Sequence, residues 1–518
     1  MGRWILRCSW VVFACVGCAP RPIVSSDASA DRAAIDDASA SSDGAAREDA
    51  GGDAGGDPCA IAVTTGGDVA TDIAAFDAIV RCASEPSRTS GEVARAIEGF
   101  VRAVEARGGF PIVGAGATRF VYVRDARWDA EDDASSTSED FSMARRAEPL
   151  AVVGDFNGWN DGSLALRHVG NNLFVATLAM TPGAERWGYK LVARDGASAP
   201  VLFSDPLSRR FQYDANGRIS FVRGGASAGH LEWIRAVHAT RLDNDRAVYL
   251  YVPPGYDQRA AERFPVLYLH DGNNAFDTAQ VRSAPSSWDV DASSDEEISQ
   301  GRARPFVIVA IPNNDGRMDE YTHTRDTIGG TVMGGRGDDY VDFISSELKP
   351  LIDQRYRTLT DKPNTAILGS SLGGLISFHA GLRAPMVFGL IGGMSSTFEW
   401  GGFAGGSDTM LARYAMMAAS VRANGQRFYL DSGGGPASDG TCTFDGVDDP
   451  RDNFCETNTM RDTLVMAGIN TFPNDPNALR IEPASANIYH WYERNALHTE
   501  AAWRARFYRV VRFFFRPN

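Results

Sequence analysis

Apolar residues along the chain fall into three successive patterns, and each predicts a different kind of structure. Between Cys59 and about Arg107 they recur every three or four residues: Ile73, Phe76, Ile79 and Val80, then Val93, Ile97, Val101 and Val104. That is the stripe of an amphipathic helix, so residues 58–112 predict a small helical segment built from two helices. From 118 to 222 the pattern shifts to short β-prone runs at 120–123, 150–159, 173–178, 187–192 and 219–222, separated by turn residues. These predict a β-sandwich module. From 231 to 518, runs at 247–252, 266–269, 306–311, 365–368, 388–392 and 427–430 suit buried strands, and 338–352 and 457–467 read as helices between them. Strands alternating with helices predict a doubly wound α/β sheet whose chemistry sits at the carboxyl ends of its strands.

The first 57 residues belong to none of these patterns. Arg3 and Arg7 precede the apolar run 10–17, which is too short to span a bilayer and remain there, so residues 1–18 read as a signal segment. The run ends in Gly17-Cys18, which resembles a bacterial lipoprotein cleavage site with Cys18 as the lipidated residue, although Cys15 stands where leucine is usual. Plain secretion after ordinary signal cleavage is the alternative. Residues 19–57 are Ala, Ser, Asp and Gly with almost nothing large and apolar, a composition that cannot offset its own ordering entropy and therefore predicts a tether.

Composition narrows the partners. A net charge of −15 over 518 residues argues against nucleic acid or an anionic membrane surface, so membrane contact would come only through a lipid on Cys18. Seven cysteines stand at 8, 15, 18, 59, 82, 442 and 455. If the first two leave with the signal and Cys18 carries lipid, the rest form two local pairs. Cys59 with Cys82 and Cys442 with Cys455 then read as disulfides of an oxidising compartment, against the plainer reading of buried thiols. Neither spacing suits zinc, and no metal or organic cofactor is implied.

The chemistry gathers around Thr365-Ala366-Ile367-Leu368-Gly369-Ser370-Ser371-Leu372-Gly373-Gly374-Leu375. An apolar run, then Gly-x-Ser-x-Gly, then a helix-compatible segment is the context in which a nucleophile elbow forms, with Ser371 raised above the sheet. A glycine-rich turn without chemistry is the bland alternative. A serine needs a base, and in this sheet type the order is Ser, acid, His. His379 falls on the helix after the elbow and reads as a packing or surface residue. His498, in a loop leading into the last helix, is the expected base, with His490 as fallback. The acid should follow the strand ending near Asp431; among Asp439, Asp445, Asp448, Asp449 and Asp452 the choice is Asp439, soon after the strand, with Asp452 next, and a Ser–His dyad is workable. For the oxyanion hole, the amide of Leu372 is expected together with that of Asn273, beside the permissive Gly272.

Two sets of stretches resemble known families. "VVGDFNGWN", "ERWGYKLVARDG" and "FSDP" resemble the early-set immunoglobulin-like module that precedes the catalytic part of glycogen-branching enzymes. It would present Trp159 and Trp187 either to a sugar ring or to its own core. "YVPPGYD", "VLYLHDGNNAFD", "RMDEYT", "ILGSSLGGLISFHAG" and "HTEAAWRARFYRVVRFFF" together resemble the esterase family that includes enterochelin, feruloyl and acetyl-xylan esterases and the esterase D group. That resemblance implies an α/β-hydrolase fold, with Ser371 as nucleophile and His498 as base. The family's acid closely follows D-x-G-T, whereas Asp431-Ser432-Gly433 leads here into Gly434-Gly435-Pro436 and an inserted loop. The sequence thus points to an exported serine esterase acting on a small-molecule or glycan-linked ester. A glycan-binding protein with an inactive hydrolase domain and an acyltransferase to a sugar acceptor stand as alternatives. Glu320, Tyr321, Ser396 and Trp400 follow strand-like runs and would line or shape the pocket. The oligomeric state is not legible.

Overall fold

A computed structural model describes residues 57–61, 68–125, 150–183, 187–194, 199–214, 217–276, 287–435, 452–470 and 487–517. The signal segment, Cys18 and most of the tether lie outside these residues. Among the described residues, no helix is long and apolar enough to cross a membrane.

The helical segment forms as its periodicity predicts, over Val69–Ser84 and Ser90–Ala106. Each helix opens on a reciprocal capping box, Asp68 with Thr71 and Thr89 with Glu92, which satisfies amide hydrogens that the first turn would otherwise leave unpaired. Phe76, Ile79, Ile97, Phe100, Val101 and Val104 bury their stripes together, and a Cys59–Cys82 disulfide ties the entering chain to the first helix.

Nine strands follow: β1 (Ile112–Gly114), β2 (Ala117–Val123), β3 (Leu150–Gly154), β4 (Ala165–Gly170), β5 (Leu173–Leu178), β6 (Gly188–Ala193), β7 (Val201–Phe203), β8 (Arg210–Asp214) and β9 (Gly217–Phe221). Their pairings with one another are antiparallel, β1 and β4 joining β2 and β5 on one side, β3, β7 and β9 joining β6 on the other. Aromatic rings fill the space between: Phe120 meets Tyr189 at 5.0 Å between centroids, and Tyr122 meets Phe203 at 5.7 Å. Trp187 joins this packing beside Phe156 at 5.8 Å, whereas Trp159 is 39% exposed and ties its indole N–H to Asp155.

The large region holds β10 (His230–Ala239), β11 (Asn244–Val252), β12 (Val266–His270), β13 (Val307–Ile311), the small hairpin β14 (Arg325–Ile328) and β15 (Thr331–Gly334), then β16 (Thr365–Ser370), β17 (Leu390–Met394), β18 (Arg427–Ser432) and β19 (Ile488–Tyr492). The main sheet runs β10-β11-β13-β12-β16-β17-β18-β19, antiparallel through its first two pairings and parallel from β13 onward. This is the α/β-hydrolase arrangement. Alternating side chains of the buried strands divide its core into two layers. Leu267, Leu269, Ile308 and Leu368 face the terminal helix Glu500–Phe514, while Val266, Tyr268, Val309 and Ile367 face the helices on the other side. The stretch read as one helix over 338–352 is three segments, Gly337–Asp342, a wider π-helical Phe343–Leu348 and Lys349–Arg355.

The front β region does not stand apart from this sheet. β8 pairs antiparallel with β10 through Leu231 with Phe211 and Glu232 with Arg210. Glu232, only 1% exposed, accepts from Arg210 and Tyr356, is ion-paired with Arg209 at 2.8 Å and touches His230. Burial alone would raise its carboxyl, but Arg209 and Arg210 hold it well below the usual carboxylate range.

Candidate active site

Two strand ends and the entry to the terminal helix build the site. β16 ends at Ser370, and Ser371 follows with φ 55° and ψ −122°, a backbone conformation that an L-residue adopts only when its surroundings impose it. Gly369 and Gly373 make that turn possible, since a Cβ on Gly369 would lie 2.6 Å from the backbone of Gly373. A Cβ on Gly374 would collide with Ser396. The helix Leu372–Arg383 starts immediately after Ser371, so the amide of Leu372 sits in its first turn, where no intrahelical acceptor exists.

β12 leads into a left-handed Asp271 (φ 57°) and the short turn Gly272–Asn274. This turn abuts the start of the Leu372–Arg383 helix, because a Cβ on Gly373 would stand 3.2 Å from Asp271 Oδ2. Gly272 is required there, as any Cβ would press on the backbone of Ala310 and Ile311. Asp271 is held by Arg317 at 2.7 and 2.9 Å and by Asn313 at 2.6 Å. Although burial opposes it, Arg317 keeps this carboxyl below its ordinary range. The side chain of Asn273 accepts from the Asn313 amide at 2.9 Å, which fixes the turn carrying the Asn273 N–H.

His498 lies just before Thr499, whose side chain caps the terminal helix by accepting from the Ala502 amide. Its Nδ1 is 2.9 Å from Asp452 Oδ1, and its ring stands edge-on to Trp503 at 5.0 Å. Asp452 is fully buried, while the His498 side chain keeps 27% exposure. Asp452 Oδ2 also accepts from the Gly433 amide and from Arg506 at 3.3 Å. Arg506, 1% exposed, faces Asp431 as well, at 3.2 Å. Asp431 accepts from Tyr429 OH at 2.7 Å, and burial pushes it up to about 6 against the pull of Arg506.

Ser371 and the acid loop share neighbours. Ser371 Oγ is 3.5 Å from Thr397 Oγ1, and the Thr397 amide donates to Ser371 O at 3.2 Å. Asn453, next to Asp452, donates through Nδ2 to Ser395 O at 2.8 Å and to Thr397 Oγ1 at 3.2 Å. Trp503 Nε1 and Arg506 both donate to Ser395 Oγ. Asp271, Ser371, Ser395 and Asn453 all take positive φ, so left-handed backbone concentrates at this edge of the sheet.

The other expected residues are placed as follows. Asp439 and Cys442 lie outside the described residues; the carboxylate bonded to His498 is Asp452, the second choice from sequence. Cys455 is disulfide-bonded. His490 is 3% exposed on β19, its ring nitrogens have no hydrogen-bond partner, and burial pushes it down to about 3, so it is a core residue. His379 is bonded to Asp338 at 2.7 Å on the flank of the helix. Glu320 is buried in an ion pair with Arg246, and Trp400 donates to Thr324 O, so both shape the scaffold; Tyr321 OH receives the Asp271 amide. Sequence reasoning missed Thr397, Asn453, Trp503 and Arg506. One signal was available: Arg506 sits on the stripe Trp503, Phe507, Val510, where an arginine must find buried partners. A separate cavity of about 520 Å³, lined in part by Asp72, Arg107, Arg210 and Asp257, lies against the helical segment and takes in none of these residues.

A hydroxyl on a strained elbow, an imidazole bonded to a buried carboxylate and backbone amides at a helix start are the parts that acyl transfer needs. A family model described as "Putative esterase" matches residues 239–444. Uncharacterized protein YbbA of Bacillus subtilis is 32% identical over 160 residues, which are 30% of this chain and 58% of that protein. An endo-1,4-beta-xylanase/feruloyl esterase of Xylanibacter ruminicola is 31% identical over 153 residues, 28% of this chain and 19% of that protein. The chain thus spans less than two thirds of the length of these curated relatives. Similar solved structures include a ferulic acid esterase (16% identity, TM-score 0.40, 56% of this chain and 98% of the other) and the enterobactin esterase FES from Shigella flexneri (16%, 0.38, 77% and 92%). Through residues 239–444 the chain is thus similar to this esterase family.

Proposed function

We propose that the protein is an exported serine esterase that hydrolyses carboxylic esters through an acyl-enzyme on Ser371. His498 takes the Ser371 proton as the hydroxyl oxygen attacks the ester carbonyl, and Asp452 holds the imidazole in the tautomer that leaves Nε2 free to do so. The amides of Leu372 and Asn273 stabilise the oxyanion. His498 then returns the proton to the leaving alcohol, and water, activated by the same imidazole, releases the acid. The observation that carries this reading is the Asp452–His498 bond at 2.9 Å on the same edge of the sheet as the strained Ser371.

Export rests on the signal-like start and fits the Cys59–Cys82 disulfide, which an oxidising compartment favours. Lipidation of Cys18 would anchor the enzyme to the envelope, and mass spectrometry of the mature N-terminus tests it. The proposed substrate is a small or glycan-linked ester, with feruloyl, acetyl-xylan and siderophore esters as the panel. Ser371→Ala should abolish hydrolysis of a short p-nitrophenyl ester and labelling by a fluorophosphonate while its thermal unfolding is unchanged. Activity retained in that variant would place the nucleophile elsewhere.

A further inference from the structure

Resting on the reading of Ser371 as nucleophile, we propose that Asn453 and Thr397 form a hydrogen-bond relay that sets the hydroxyl rotor of Ser371. Counting donors assigns the hydrogens. Ser395 O is a carbonyl and can only accept, so the Asn453 atom 2.8 Å from it is the amide nitrogen. The same nitrogen reaches Thr397 Oγ1 at 3.2 Å, so the threonine oxygen accepts there. The single hydroxyl hydrogen of Thr397 is then left to point elsewhere, and Ser371 Oγ lies 3.5 Å away. Thr397 is 5% exposed, which restricts its competition from solvent. With Thr397 donating, Ser371 Oγ is an acceptor on that side and its own hydrogen is turned away, toward the open side where a base must take it.

The backbone supports this division of labour. Asn453 adopts φ 57°, a left-handed conformation that asparagine tolerates better than most residues, and it follows Asp452 directly. Two consecutive side chains of one loop therefore serve the two reacting partners: Asp452 orients His498, and Asn453 orients Ser371 through Thr397. These are positioning residues. Neither forms a bond to substrate, and no charge moves through them.

The test compares Thr397→Val, Thr397→Ser and Asn453→Gly, the last keeping the left-handed backbone, in the full chain with p-nitrophenyl acetate. Thr397→Val should lower kcat about tenfold, the rate equivalent of one neutral hydrogen bond, with KM within about twofold. Fluorophosphonate labelling should slow in parallel. Thr397→Ser should restore most of kcat, and Asn453→Gly should behave like Thr397→Val. Wild-type kcat in a folded Thr397→Val, or a Thr397→Ser variant as slow as Thr397→Val, would overturn the relay. If Thr397→Val fails to fold, Asn453→Gly decides, and its full kcat overturns the proposal. Hydrolysis persisting in Ser371→Ala would remove the nucleophile assignment itself, so the two failures are distinguishable.

Discussion

Arg506→Met removes a cation that faces two fully buried carboxylates. Asp431 and Asp452 both have no exposed side-chain surface, and Arg506 lies 3.2 and 3.3 Å from them. Deleting one member of a buried ion pair costs about 3–5 kcal/mol, because the partner's charge is left in a medium that solvates it poorly. At roughly 2 °C per kcal/mol for a domain of this size, Tm should fall by about 6–10 °C at pH 8. The loss should depend on pH in a direction fixed by Asp431. Folding already raises this carboxyl from 3.8 to about 6, chiefly through burial. Between those values the folded state binds more protons than the unfolded one, so stability declines as pH rises through that window. Without Arg506 the window extends upward, and at pH 5 Asp431 stays protonated and neutral. The variant should therefore lie closer to wild type at pH 5 than at pH 8. Thermal unfolding of the two proteins at both pH values measures this. Equal losses at pH 5 and pH 8, or no loss at pH 8, would refute the account of Arg506 as the counter-charge of a buried pair.

Asp452→Asn should leave Ser371 in place yet lower kcat by about 10³-fold or more, since the imidazole loses the acceptor that fixes its tautomer; a fall of less than tenfold in ester hydrolysis would move the acid elsewhere. Replacing Cys59 and Cys82 together by alanine removes a bridge between cysteines 23 residues apart and should destabilise the helical segment by about 3 kcal/mol. Hydrolysis should be unaffected. Hydrogen exchange over residues 68–106 in this variant and in the wild type reads the first effect, and unchanged protection there would contradict it.

How much of this could be read from sequence depended on range. The elbow was legible because its requirements are local: a buried strand, glycines on both sides of Ser371 and a helix start within ten residues. The position of His498 ahead of the last helix was legible because that helix is strongly patterned. The carboxylate bonded to it was not. Five aspartates share the loop after β18, and proximity to the strand favoured Asp439, whereas the carboxylate that meets His498 is Asp452, adjoining the helix Phe454–Met466. What singles out Asp452 is its neighbours Gly433 and Arg506, which are close only after folding. The same applies to the paired helices Met410–Met416 and Ala418–Asn424 and to Val290–Ser299, too short or too polar for a periodic signal to rise above the surrounding loops. Five of the front strands were legible as β-prone runs bounded by turn residues, whereas β1, β4, β7 and β8 were not, and nothing in the sequence announced that β8 would pair with β10.

That pairing makes the front module a continuation of the main sheet. Arg209 and Arg210 belong to the module and Glu232 to the hydrolase region, so the buried acid of one part finds its neutralising charges in the other. The apolar layer beneath is likewise shared, running from Phe120 and Tyr189 to Leu267 and Phe514 without interruption. Severing the chain between 222 and 230 would bare one edge of β10 and strand Glu232 without its arginines. The two parts are therefore expected to melt as one cooperative body, and the module to act as a buttress that the hydrolase cannot shed.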